Sequence, residues 1–93
     1  MPERRVTIAS KVGLHARPAA IFVKAASEQP ATVTIVKAGS DAEPVAASSI
    51  LGVMTLGAEF GDEVILASDD EGAEDALEAL AALLAKDLDA EEV

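Results

Sequence analysis

The chain contains a single histidine, His15, set in the run Gly13-Leu14-His15-Ala16-Arg17-Pro18-Ala19-Ala20. A neutral imidazole nitrogen is nucleophilic near pH 7, because its reference pKa lies near ~6.5. At the amino end of a helix such a ring meets backbone amides and a partial positive charge. That field disfavours imidazolium, and it stabilises a dianionic phosphoryl group once one has been captured. Arg17, two residues on, can lay a planar fork of donors on phosphoryl oxygens. Gly13 permits close approach of another stretch of backbone, and Pro18 suits the first helical turn, where the amide it lacks would have no partner. Taken singly, each part has an ordinary structural reading: the histidine as a cap or surface residue, the arginine as a solvated charge. In this order they describe an anion site, and pattern reasoning leaves its use open.

Several elements must position that run. Arg4 to Ala9 alternates polar and apolar residues and is predicted to be a strand; Ser10 to Leu14, with Gly13, is predicted to be a loop. Beyond Pro18, the residues Ala19, Phe22, Val23 and Ala26 recur at i, i+3, i+4 and i+7. They form the buried stripe of a helix ending near Ser27, and they leave Arg17, Ala20, Lys24 and Ser27 on an exposed face. Gln29-Pro30 breaks this helix. The β-branched stretch from Ala31 to Lys37 reads as a strand, and Ala38-Gly39-Ser40-Asp41 as a turn into a short strand over 43–46, with Pro44 suited to an edge. Ser48 to Gly57 reads as a short helix with a serine N-cap and a glycine stop. Glu63 to Ser68 is a fourth strand. The last helix runs from about Glu71 to Leu88, with Leu77, Leu80, Leu84 and Leu88 on its core face, and residues 89–93 form a flexible acidic tail. The order is β-α-β-β-α-β-α. The expected fold is an α+β open-faced sandwich, a four-stranded antiparallel sheet with three helices on one face.

Composition narrows the choices. Ninety-three residues fit one domain, residues 1–93. There is no cysteine, so disulfides and thiolate chemistry are excluded. A lone histidine among scattered carboxylates is a poor zinc site, and no metal, nucleotide loop or other cofactor is expected. The formal charge of −10 argues against nucleic acid. It is unevenly placed: through Lys37 six basic residues face two acids, whereas beyond it one lysine faces fifteen. A basic amino-terminal part can attract an acidic partner or a phosphoryl group. The start Met1-Pro2-Glu3-Arg4-Arg5 lacks a following apolar segment, and no stretch approaches the ~20 apolar residues of a membrane span. The expectation is a soluble, cytoplasmic protein.

Gly13-Leu14-His15-Ala16-Arg17-Pro18-Ala19 resembles the active-site signature of the HPr family, the histidine-containing phosphocarriers of the bacterial phosphoenolpyruvate:sugar phosphotransferase system. Ser49-Ile50-Leu51-Gly52-Val53-Met54-Thr55-Leu56-Gly57 resembles that family's second signature, and the spacing and element order agree over nearly the whole chain. The resemblance implies a carrier and not a self-contained enzyme. It would accept a phosphoryl group from enzyme I on Nδ1 of His15 and pass it to A-type domains of sugar permeases, with Arg17 stabilising the group and the backbone amides of Ala16 and Arg17 donating to it. It further implies a docking surface of Ala20, Lys24, Ser27, Ile50, Leu51 and Met54, and a monomer that presents this face to successive partners. Ile50, Leu51 and Met54 could instead be core, the reading preferred for Val53 and Leu56. Ser49 aligns with the serine that, in some low-GC Gram-positive members, a dedicated kinase phosphorylates to regulate carbon use. Here Ser48 replaces the usual preceding lysine, and the Arg4-Arg5 start, alanine-rich helices and acidic end look more like actinobacterial members, in which that regulation is not expected. An N-cap accounts for Ser49 without it. The rivals are a nitrogen-regulatory paralogue with the same chemistry, a regulatory binding module of the same fold, against which His15 and Arg17 argue, and a small-ligand module with a closed apolar pocket.

Overall fold

The computed structural model describes residues 3–9, 13–14, 16–41 and 43–86. His15, Leu88 and the acidic tail 89–93 lie outside the described residues. The elements follow the order β1 (Glu3–Thr7), α1 (Ala16–Ser27), β2 (Thr34–Lys37), β3 (Val45–Ala46), α2 (Ile50–Thr55), β4 (Glu63–Ala67) and α3 (Glu74–Leu84). The strands form one sheet in the order β1-β4-β2-β3, and every pairing is antiparallel. The three helices cover one side of it, giving the expected open-faced sandwich.

Register explains which side chains meet the helices. Arg4, Leu66 and Ile35 stand opposite one another across β1, β4 and β2, as do Val6, Val64 and Lys37. Neighbours in register point to the same side of a sheet. Leu66, Ile35 and Val64 are fully buried, and they pack with Phe22 and Ala19 of α1, Val53 of α2 and Leu77, Leu80 and Leu84 of α3 in one cluster. Burying each such aliphatic side chain contributes about 1.5–3 kcal/mol relative to exposure. The alternate row, Arg5, Ile65 and Val36, faces away and is only partly covered.

Several boundaries differ from the sequence reading. β1 spans Glu3–Thr7 and not Arg4 to Ala9, β3 spans Val45–Ala46 and not 43–46, and α3 stops at Leu84 and not Leu88. Three more shift for a local reason. β2 begins at Thr34 and not Ala31, because the Thr32 amide donates to the Asp70 carboxylate (2.6 Å) and not to a neighbouring strand. β4 stops at Ala67, and the buried Ser68 hydroxyl accepts from the Asp70 amide at 3.1 Å, closing a turn where strand was expected. α3 starts at Glu74 and not Glu71. Gly72 takes φ +78°, outside the right-handed helical region, so the helix cannot run back through it. At the other end of α3 the Leu84 carbonyl, orphaned by helix geometry, accepts from the Ala9 amide at 3.2 Å.

Candidate functional site

The segment leaving β1 is held at both ends against the chain that enters β4. At the near end the Ile8 amide donates to the Asp62 carbonyl (2.8 Å) and the Gly61 amide donates back to the Ile8 carbonyl (3.0 Å). At the far end the Leu14 amide donates to the Ala58 carbonyl at 2.9 Å. Gly13 makes that approach possible. It is buried with φ +73°, and a Cβ there would lie 2.5 Å from the Ala58 oxygen and 2.8 Å from Glu59 Cα. Leu14 is fully buried in the core cluster, and α1 begins at Ala16. Both sequence neighbours of position 15 are thus anchored, one by burial and the other as the first residue of a helix.

The first turn of α1 suits an anion. It carries Arg17, which is exposed, and no acid. Pro18 is buried beneath it. Helix geometry leaves the first-turn amides, including those of Ala16 and Arg17, without intrahelical acceptors and at the positive end of the macrodipole.

Behind this segment, residues 59–62 form a closed turn. The Glu59 amide donates to Asp62 Oδ2 at 3.0 Å while the Asp62 amide donates to the Glu59 carbonyl at 2.9 Å. Lys37 Nζ lies 3.3 Å from the same Oδ2. The Glu59 amide, aided by Lys37, holds the Asp62 carboxyl below its ordinary value. A carboxyl lowered in the folded state stabilises the fold above its unfolded pKa, near 3.9, and that contribution fades as pH falls through the lowered folded value. The acid unfolding profile of Asp62→Asn should therefore converge on that of the unaltered chain once pH has fallen through the lowered carboxyl value, and lie below it at neutral pH. Circular dichroism at stepped pH checks this, and parallel profiles across the whole range would refute it.

The expected docking residues fall where exposure permits docking. Ala20, Lys24 and Ser27 are exposed along α1. On α2, which packs against α1, Ile50, Leu51 and Met54 are 39%, 75% and 41% exposed. Val53 is fully buried and Leu56 packs against the core, so α2 divides as the sequence reading preferred. Ser49 is the N-cap of α2, its hydroxyl accepting from the Gly52 amide at 3.2 Å. A cavity of about 250 Å³ opens at the opposite end of α1, lined by Ser27, Gln29, Thr32 and Ser48 among others. It is not the closed apolar pocket that a small-ligand module would carry. Two features escaped sequence reading: the ion-paired turn at Asp62, and Phe60, exposed at its tip. The Phe60-Gly61-Asp62 sequence was a turn signal for the first.

A protein-family model described as the PTS HPr component phosphorylation site matches residues 2–86. The phosphocarrier protein HPr of Streptomyces coelicolor is 56% identical over 89 residues, covering 96% of this chain and 94% of that protein. The phosphocarrier protein NPr of Shewanella violacea is 40% identical over 82 residues, covering 88% and 87% respectively. Among solved structures, HPr from Thermoanaerobacter tengcongensis superposes with a TM-score of 0.83 at 38% identity, covering all of both chains.

Proposed function

The chain belongs to the HPr family of phosphotransferase-system phosphocarriers, and on that premise we propose that it accepts a phosphoryl group from enzyme I on Nδ1 of His15 and donates it to A-type domains of sugar permeases. In the accepting step the Nδ1 lone pair attacks phosphorus. The Nδ1–P bond forms as the donor's bond to phosphorus breaks, and the donor's leaving atom keeps that electron pair. In the donating step the imidazole is itself the leaving group. Arg17 and the amides of Ala16 and Arg17 neutralise charge on the phosphoryl oxygens in both steps. The single observation that carries this reading is the double anchoring of position 15, between the buried Leu14 and the acid-free first turn of α1 that bears Arg17.

Ala20, Lys24 and Ser27 of α1 and the exposed Ile50, Leu51 and Met54 of α2 form the docking face. Small apolar patches among charges suit transient encounters, which bury less surface than permanent ones. The protein acts as a cytoplasmic monomer, one domain, and as a stoichiometric carrier whose catalytic power arises in composite sites with each partner. The Ser49 hydroxyl serves as a helix cap, consistent with its bond to the Gly52 amide. The 56% identity to a protein named HPr, against 40% to one named NPr, favours the sugar branch over the nitrogen branch. The test is sequential. Enzyme I and phosphoenolpyruvate should add about 80 Da, one phosphoryl group, in an acid-labile form, and a permease A-type domain should then discharge it. A label that survives acid, or that no sugar-branch A-type domain removes, would overturn the proposal.

A further inference from the structure

The proposed phosphoryl site is built on the seat that residues 58–62 provide, and a side chain of that seat, Asp62, braces it. Asp62 Oδ2 accepts from the Glu59 amide (3.0 Å) and faces Lys37 Nζ (3.3 Å) at the end of β2. Just beyond that end of β2, the Ala38 amide donates to the carbonyl of Glu63, the β4 residue that follows the turn, at 2.8 Å. The turn in turn holds the site segment through Ile8 and Leu14, and Ala58 and Glu59 pack on Gly13 with no room for a Cβ. A continuous path of bonds therefore runs from Lys37 through the Asp62 carboxylate, Glu59 and Ala58 to Leu14, the residue before His15.

We infer that Asp62 is a positioning residue for phosphoryl transfer: its carboxylate, braced by Lys37, fixes the 59–62 turn and so sets where the backbone delivers residue 15. This rests on His15 being the acceptor. The half-exposed ion pair adds little to global stability, yet transfer is sensitive to placement, since a misplacement of about 1 Å can cost up to 10²-fold in rate. Loss of the oxygen that accepts from the Glu59 amide therefore shows in the rate more than in the melting midpoint.

The experiment measures single-turnover phosphorylation by enzyme I charged with phosphoenolpyruvate, at a temperature where amide NMR spectra show each variant folded. Asp62→Ala is expected to slow the maximal rate about tenfold with the concentration for half-maximal rate unchanged, and to shift the ring resonances of His15. Asp62→Asn, which keeps an oxygen for the Glu59 amide, should recover most of the rate. Should Asp62→Ala not fold, Asp62→Glu decides: it keeps the charge but carries the oxygen beyond the Glu59 amide, and should lose a similar factor. A wild-type maximal rate in the folded variant, or a loss confined to the half-maximal concentration, overturns the inference. An unaltered chain that takes no phosphoryl group refutes the proposed function instead, and is told apart by needing no variant.

Discussion

His15→Ala is expected to remain at its unmodified mass after incubation with enzyme I and phosphoenolpyruvate, under conditions that label the unaltered chain completely. The chain has one histidine and no cysteine, so no second imidazole or thiolate can substitute. The hydroxyls of Ser27, Ser49 and Ser68 are engaged with the Lys24 carbonyl, the Gly52 amide and the Asp70 amide, and a serine or threonine hydroxyl is weakly nucleophilic without an adjacent base. Arg17→Ala should behave differently, retaining acceptance but slowing it by about 10–100-fold, the worth of one hydrogen bond to a charged group, ~1.5–3 kcal/mol. Arg17→Lys should restore only part of this, because an ammonium is a point charge and not a planar fork. Labelling of His15→Ala at another residue would contradict the assignment.

Gly13→Ala should be the most damaging substitution that leaves every charged or polar group in place. Two costs combine there. An alanine at φ +73° sits in the left-handed region, about 1–2 kcal/mol above its preferred conformations. Its Cβ would also lie 2.5 Å from the Ala58 oxygen, and since that atom is backbone it cannot be relieved by a rotamer change. Overpacking of this kind costs about 1–3 kcal/mol. Relief by opening of the Leu14–Ala58 hydrogen bond would move the segment that carries position 15. The melting midpoint should fall by more than about 10 °C, at roughly 4–8 °C per kcal/mol for a chain of this size, and phosphoryl acceptance should slow in the protein that remains folded. Gly72→Ala separates the two costs, because Gly72 has φ +78° with nothing within 4 Å of its added Cβ. It should show the backbone cost alone. Equal midpoints for the two variants would mean that the seat on Ala58 is not the tight contact described.

Where apolar spacing repeats with a helical period, the sequence was informative: Ala19, Phe22 and Ala26 are buried as read, and Arg17, Ala20, Lys24 and Ser27 on the opposite face are exposed. The division of α2 into buried Val53 and outward Leu51 followed from an excess of apolar residues over what one buried side can use. The boundaries that moved were those decided by contacts remote in sequence. Nothing local to Ala31–Val33 announces that Asp70 will take the Thr32 amide, since that bond joins residues 38 apart. The same limit hid the positioning path. Gly13 was legible as a place of close approach, but its partner, the carbonyl of Ala58, is set by tertiary packing, as is the meeting of Lys37 with Asp62. Composition could count those charges and could not pair them.

The central claim, that one ring nitrogen carries the group, is tested most directly by NMR of the protein labelled with ¹⁵N histidine, recorded before and after charging by enzyme I and phosphoenolpyruvate. With a single histidine the spectrum holds one pair of ring nitrogens. Phosphorylation is predicted to shift the Nδ1 resonance of His15 and couple it to ³¹P, leaving Nε2 uncoupled. Coupling at Nε2, or an added phosphoryl mass with both ring nitrogens unchanged, would contradict it.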